Sequence, residues 1–597
     1  MDQDQIFRNL PSPLELSEAM AKVGEQSQAL IARFMEGQGQ TDLAHVDPLG
    51  LLPAFSTFVQ QLARDPSRLV EVQIQAWNAY LQVWQNTAQR LFGLGAVASA
   101  GNTKDRRFKD EDWERNPFFD YVRQTYLVTA QLLQGLVNGA EGLDDKTAKK
   151  VAFYTQQYID ALAPTNFALT NPQVLHATIE SGGRNLLDGL KNFLEDIDPR
   201  DGRLRTRMVD SSAFELGRNI AVTPGKVVFQ NELMQLIQYS PTTAEVDRRP
   251  LLIIPPWINK FYILDLQPKN SFIKWAVAQG LTVFVISWVN PDASQAALDF
   301  DDYVRLGPLA ALDAVEAATG EREVNVIGYC LGGTLLGATL ALMKARGDER
   351  VHAATFFTAM LDFSEPGDLG VFVDEQQIAS LEAKMAERGY LDGGEMATTF
   401  NMLRSNDLIW SFVINNYLLG RQPMAFDLLY WNSDSTRMPA RMHGTYLRKM
   451  YLENVFREPG GISVDGTPID LSLIDNPACF VSAVEDHIAP WKSTFMGARL
   501  LQGPTRFILG QAGHVAGIIN PPGPRQYGYF SGSEVDDLTA DEWFARAELK
   551  EESWWTEWAT WMAGHGGGKV AARVPGDGEL AVLEDAPGSY VRRRITP

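Results

Sequence analysis

Hydrophobic positions in the first third of the chain recur every three or four residues. Residues 51–92 carry them in two runs broken at Asp65-Pro66, and residues 116–140 and 147–163 repeat the pattern. That spacing predicts amphipathic helices, so residues 1–205 read as an all-α N-terminal domain. No internal repeat stands out. The charged stretch 196–210, with its Pro and Gly, reads as a linker. Beyond it the period changes. Residues 226–241 look like a strand pair. Short apolar runs follow at 249–259, 281–291, 323–330, 351–363, 476–487 and 505–514. Helix-compatible segments such as 272–280 and 301–320 separate several of them, and this alternation predicts a mostly parallel sheet in residues 206–597. It breaks between about 364 and 474. That stretch, rich in helix signals and aromatics, reads as a helical cap inserted over the sheet's C-terminal edge, where such sheets bind ligands. A helix-like run at 543–564 puts Trp554, Trp558 and Trp561 on one face, read as core packing rather than a ligand or membrane face. Residues 566–597 are rich in Gly, Pro and charge, and are expected to be poorly ordered.

Composition narrows the function classes. With 597 residues, two or three domains are expected. The 45% apolar and 21% charged content is that of an ordinary globular protein. A formal charge of −21 argues against a general nucleic-acid binder, while a local Arg/Lys cluster can still meet an anionic substrate. The acidic N-terminus lacks the pattern of a secretory signal, and no apolar run is long enough to span a bilayer. The two cysteines, Cys330 and Cys479, make no disulfide framework, and a reducing cytoplasm is the expected setting. Neither has a metal-type partner nearby in sequence, and histidines number seven, so no metal is expected.

The chemistry concentrates at Gly328-Tyr329-Cys330-Leu331-Gly332. A β-type run enters this turn and a helix-like run leaves it. The G-x-nucleophile-x-G spacing makes a strained elbow that lifts the nucleophile above the sheet, with glycines where backbones approach closely. The N–H of Leu331 then points into an oxyanion site at a helix N-terminus, whose dipole also favours a thiolate. On such a fold the acid and then the histidine follow in chain order. Asp486 lies just past one apolar run and His514 just past the next, both above the face that carries Cys330. His514 would take the thiol proton, and Asp486 would fix the imidazole. His487 is a rival base, but it precedes the last strand. Glu485 rivals Asp486, yet alternation favours the aspartate. Cys479 reads as a small core residue, and His45, His176, His352, His443 and His565 lack a comparable setting. A second oxyanion donor is expected from the loop after the third strand, with the N–H of Ile258 as candidate. Asp265, polar within an apolar stretch, suggests a buried hydrogen-bonded role.

Lipases and esterases place serine at this elbow. A cysteine keeps the acyl group as an activated thioester, which suits acyl transfer better than ester hydrolysis. The elbow 328–333, together with segments 165–193, 255–271, 426–439, 446–454, 485–491, 513–522 and 553–562, resembles the class I polyhydroxyalkanoate synthases over nearly the whole chain. The resemblance implies an α/β-hydrolase fold with an inserted helical cap behind the all-α domain. It implies polymerisation of (R)-3-hydroxyacyl-CoA to polyester with release of CoA, through Cys330, Asp486 and His514. CoA thioester is then the substrate, and no cofactor is expected. A homodimer working in the cytoplasm at the surface of polymer granules, alongside phasin-type proteins, is also implied. Trp431 falls on a motif tryptophan. With Arg404, a candidate for the CoA phosphates that reads equally as salt-bridged, and His487, it makes up the substrate-side candidates. Leu331 and Val515 are conservative apolar variations on the family pattern. The alternative readings are a Cys-triad thioesterase or polyester hydrolase of the same fold, and an inactive granule-coating scaffold.

Overall fold

The computed structural model describes residues 51–92, 105–139, 142–199, 202, 204–524, 526–532, 535 and 538–594. The chain divides into two compact units, one of residues up to Asp210 with Phe400–Met424, the other of Ser211–Thr399 with residues from Ala425 onward. His45 and the helical reading upstream of residue 51 lie outside the described residues.

The first unit is helical. Helices α1 (Leu51–Arg64) and α2 (Pro66–Leu91) meet at the predicted break. The Asp65 carboxylate accepts the N–H of Arg68, and Pro66 fills the first helical position, where a missing N–H costs nothing. Helices α3 (Pro117–Asn138) and α4 (Asp145–Ala161) follow. Arg68 reaches the carbonyls of Gly135 and Leu136 in the last turn of α3, at 3.2 Å each, where a cation meets the negative end of the helix dipole. Buried Asp120 accepts from Arg90, Arg123 and Gln124 at 2.7–2.9 Å. In α5 (Arg184–Glu195), the amides of Asn185 and Asn192 donate to the carbonyls of Leu418 and Asn416, at 2.8 and 2.9 Å. This side-chain-to-backbone pairing ties Phe400–Met424, read from sequence as part of the inserted cap, to the helical unit. Hydrophobic period carries no trace of such bonds.

The second unit is built on a sheet. Its strands are β1 (Gly225–Gln230), β2 (Met234–Tyr239), β3 (Leu251–Ile254), β4 (Val283–Trp288), β5 (Val324–Tyr329), β6 (Val351–Phe357), β7 (Ala478–Ala483), β8 (Thr505–Gly510), β9 (Tyr529–Ser531), β10 (Glu548–Lys550) and β11 (Glu584–Asp585). They lie in the order β10-β9-β8-β7-β6-β5-β3-β4-β2-β1-β11. The central six, from β4 to β8, run parallel. Every residue of β3, β4, β5 and β7 is buried, as parallel strands covered on both faces require. The chain steps outward from β3 to β4 and returns to β5 on the other side of β3. That reversal is a topological switch point, where adjacent loops part and leave a crevice. Helix α6 (Leu331–Ala345) starts there and is buried from Leu331 through Met343.

Between β6 and β7 the rest of the insertion supplies helices, including α7 (Asp427–Ser433) and α8 (Ala440–Tyr446). The latter widens into a π-helical turn over Leu447–Leu452. Helix α9 (Trp554–Ala563) buries Trp554, Trp555 and Trp558, whose rings pack on Phe272. The tail expected to be poorly ordered instead adds strands. Lys569–Ala571 pairs with Glu245–Asp247, and β11 pairs with β1. Tyr590 and Val591 are buried, and the Tyr590 hydroxyl donates to the carbonyl of Asn231 at 2.7 Å. Edge pairing of two or three residues is enough to order a segment whose composition reads as coil.

Candidate active site

Strand β5 ends at Tyr329 and α6 begins at Leu331, so Cys330 alone makes the turn. Its φ of 52° and ψ of −120° lie where a residue with a Cβ is strained by about 1–3 kcal/mol. The surroundings hold it there. Its N–H donates to the carbonyl of Phe357 at 2.8 Å, and its carbonyl accepts the N–H of Gly333 at 2.8 Å. A Cβ on Gly332 would lie 2.0 Å from the Ile254 carbonyl oxygen, so the end of β3 presses directly on the turn. The half-buried thiol is thus lifted off the sheet at the switch point. Leu331, the first residue of α6, has no helical acceptor four residues back, so its N–H is unpaired within the helix and forms part of the positive end of the helix dipole.

The acid and base follow β7 and β8, the second and third parallel strands along the sheet from β5. Past β7, Glu485 is exposed while Asp486 is buried, which separates the two carboxylates. One Asp486 oxygen accepts the N–H groups of Ile488 and Ala489 at 2.9 Å each. The other lies 2.7 Å from Nδ1 of His514, which follows β8. With Nδ1 so engaged, Nε2 is the nitrogen left for the thiol. Burial disfavours the charged imidazole, but Asp486 and the Cys330 sulfur outweigh it and hold the His514 pKa well above the ordinary histidine value. The Tyr329 ring stacks on the imidazole with centroids 6.1 Å apart. From the cap, Tyr446 and Tyr451 approach. Burial first, and then neighbouring groups that include Cys330, push both phenols up, which keeps them neutral.

The loop after β3 is pinned by the segment 431–436. The Trp431 indole N–H donates to the carbonyl of Lys260 at 2.7 Å. The Lys260 ammonium pairs with Asp434 at 2.7 Å, and the Tyr262 hydroxyl donates to the same carboxylate at 3.0 Å. The Thr436 hydroxyl lies 2.9 Å from the carbonyl of Trp257 and 2.5 Å from that of Ile258. Ile258 itself is half-buried and packs on the hydrophobic core of the second unit, as Cys330 does.

Cys330, Leu331, Ile258, Asp486 and His514 thus gather at the C-terminal edge of the sheet. Trp431, a substrate-side candidate, is buried with its N–H committed to the loop. Arg404 belongs to the helical unit, where it pairs with Asp407 at 2.8 Å. His487 is half-buried, and its carbonyl accepts the N–H of Asp368 at 3.3 Å. Cys479 is fully buried in β7, where burial pushes its thiol pKa up. His443 is buried and pushed down to about 4. Asp265 has the buried role expected, accepting from Thr223 at 2.5 Å and Ser271 at 2.6 Å. Sequence reading passed over Lys260, Asp434 and Thr436. Their signal was present, as one charge in an apolar loop and as polar residues beside Trp431.

Comparison with known proteins agrees with this architecture. Residues 104–276 match the family described as the poly-beta-hydroxybutyrate polymerase (PhaC) N-terminus, and residues 249–521 match the α/β hydrolase fold. The poly(3-hydroxyalkanoate) polymerase subunit PhaC of Rhizobium meliloti is 48% identical, over 97% of this chain and 95% of that protein. The poly(3-hydroxyalkanoate) polymerase of Methylorubrum extorquens is 44% identical, over 96% of each. The subunit from Cupriavidus necator is 40% identical, over 89% of each.

Proposed function

The chain belongs to the poly(3-hydroxyalkanoate) polymerase family, and we propose that it builds polyester by passing (R)-3-hydroxyacyl groups from CoA through a thioester on Cys330. His514 Nε2 takes the Cys330 proton, and the thiolate attacks the thioester carbonyl. The oxyanion that forms meets the N–H groups of Leu331 and of the β3 loop. As the carbonyl reforms, the C–S bond to CoA breaks, and the His514 proton leaves with the CoA thiol. The 3-hydroxyl of the next acyl unit, or of the growing chain, then attacks the acyl-cysteine. His514 takes the hydroxyl proton, an ester bond forms, and Cys330 is released to accept that proton. Asp486 holds the imidazole in the tautomer these steps need.

The observation that carries this reading is the buried 2.7 Å bond between Asp486 and His514, with Cys330 held in a left-handed turn beside them. Family membership supports the polymer product. The test supplies purified protein with (R)-3-hydroxybutyryl-CoA and follows free CoA and the acyl product. CoA release with sedimentable polyester, lost in Cys330→Ala, is the expected result. CoA release with only free hydroxy acid would turn the assignment to a thioesterase.

A further inference from the structure

Carboxylates outnumber Lys and Arg in this chain by 74 to 53, and arginines such as Arg350, Arg448 and Arg457 are held by them. Arg437 and Arg593 are not. Neither has an ion-pair partner among the described residues. One buried residue draws the two together. The side-chain oxygen of Asn290, just past β4, accepts the backbone N–H of Arg437 at 3.0 Å, and its amide donates to the carbonyl of Arg593 at 3.2 Å. Arg437 comes from the insertion and Arg593 from the tail. The Arg437 guanidinium stacks on Tyr390, 4.6 Å from the ring centroid, and that of Arg593 on Tyr590, at 4.9 Å. Stacking holds the flat face of a guanidinium and leaves its in-plane N–H donors open. The Nε of Arg437 is buried without an acceptor, a donor whose hydrogen bond the protein itself does not supply. The Asp292 carboxylate feels both charges, which places them around one loop, but it caps the turn at Ser294 and pairs with neither. On the same segment as Arg437, Asp434 is shared by Lys260 at 2.7 Å and Arg594 at 3.9 Å. Positive charge is thus in local excess on an acidic protein.

We infer that Arg437 and Arg593 form an anion site that holds the phosphates of the CoA carried by the acyl thioester. The inference rests on the acyl-CoA reading above. Asn290 and Cys330 both follow the C-terminal ends of their strands. Those strands, β4 and β5, are two positions apart in the sheet, about 10 Å at ordinary strand spacing. The Trp288 indole at the end of β4 donates to the Pro255 carbonyl at 2.8 Å, and that same oxygen abuts the Cys330 elbow at Gly332. The arginine pair and the thiol therefore share one packed edge. CoA carries its phosphates at the far end of the pantetheine arm, so they belong on a neighbouring loop rather than at the thiol. Two guanidiniums held by stacking offer the planar, paired donors that match phosphate oxygens. Arg404, the candidate from sequence, is committed to Asp407.

The test compares ligands with and without phosphates on the full-length protein. By calorimetry, CoA is expected to bind about 10-fold or more tightly than pantetheine, which has the same arm and thiol, since a hydrogen bond to a charged group is worth about that much. The preference should disappear in the double variant Arg437→Gln/Arg593→Gln. In turnover, the double variant should lose about 10-fold or more on (R)-3-hydroxybutyryl-CoA beyond any loss on (R)-3-hydroxybutyryl-pantetheine, and the loss should fall on KM rather than kcat. Lysine at both positions keeps the charge and should keep part of the preference. Equal losses on the two thioesters would make the arginines structural supports and overturn the proposal. No preference for CoA in wild type, or one that survives the double variant, would overturn it too. Inorganic phosphate bound as tightly as CoA would mean a site for free phosphate and overturn the CoA assignment. Should the double variant fail to fold, Arg593→Gln on the exposed tail is read alone, and an unchanged preference would overturn the proposal. Wild-type protein that prefers CoA to pantetheine but turns over neither thioester would refute acyl transfer instead, and would leave the anion site standing.

Discussion

The two cysteines sit in the same sheet, two strand positions apart, and differ in nearly everything that governs a thiol. Cys479 is the second residue of β7, with extended backbone, parallel partners on both sides and no exposed surface. Cys330 stands one residue past β5, in a left-handed turn, half-exposed, at a helix N-terminus and beside an imidazole. Burial dominates at Cys479 and favours its neutral form, over a weaker opposing pull from Arg506. At Cys330 the sheet supplies geometry and the loops supply charge. A parallel strand is therefore an inert place for a thiol along its length and a reactive one just beyond its C-terminal end. The difference follows from where the chain must turn, not from the residue type.

The largest break in that comparison is removal of the reactive thiol. Cys330→Ala should lower CoA release by at least about 10³-fold, as loss of a nucleophile does elsewhere, with thermal stability nearly unchanged because alanine keeps the Cβ that the φ of 52° strains. Retention of more than a tenth of the activity would move the chemistry elsewhere. Next comes Asp486→Asn. An amide keeps the shape but loses the charge that most strongly favours the imidazolium, so burial should win and the His514 pKa should fall. Imidazole NMR should find a lower midpoint in Asp486→Asn than in Cys330→Ala, and both below wild type. Activity should drop by about 10²-fold or more. The stability sign follows: a raised folded pKa contributes stability in full below about pH 6.5, the unfolded value, and loses it as pH rises through the folded pKa. The gap in unfolding free energy between wild type and Asp486→Asn should therefore be wider at mildly acidic pH than in alkali. A gap independent of pH would mean the pair carries no net charge interaction.

Much of this site was legible before the fold. The elbow announced itself because only a strand-to-helix turn with glycines at fixed offsets has that spacing, and chain order then selected Asp486 and His514. The strand alternation fixed the parallel sheet for the same reason: fully buried strands read as unbroken apolar runs. What escaped detection depends on contacts far apart in sequence. Thr436 looks like any surface threonine until it meets the Trp257 and Ile258 carbonyls, 179 and 178 residues away. The pairing of Asn185 and Asn192 with residues 416–418 has no hydrophobic signature, so Phe400–Met424 read as cap. The tail was misjudged because composition reports average tendency, whereas Tyr590 and Val591 needed only a local groove to bury.

The smallest expected effect sharpens the comparison most directly. Native protein treated with excess iodoacetamide should take up one equivalent quickly, on Cys330, and a second only after unfolding. Cys479 has no exposed surface, and its burial outweighs the one nearby charge that favours its thiolate, Arg506. Replacing it should leave CoA release within about twofold, since surface and core changes away from the chemistry act through stability. The two replacements should differ in stability. Cys479→Ala leaves a small void, whereas Cys479→Ser buries a hydroxyl in a strand whose backbone groups are already paired, which adds about 1–3 kcal/mol unless it finds a partner. Serine should therefore melt below alanine. Two equivalents taken up at the same rate in the native state, or a serine variant as stable as alanine, would mean that the interior of β7 is not the sealed apolar setting its burial describes.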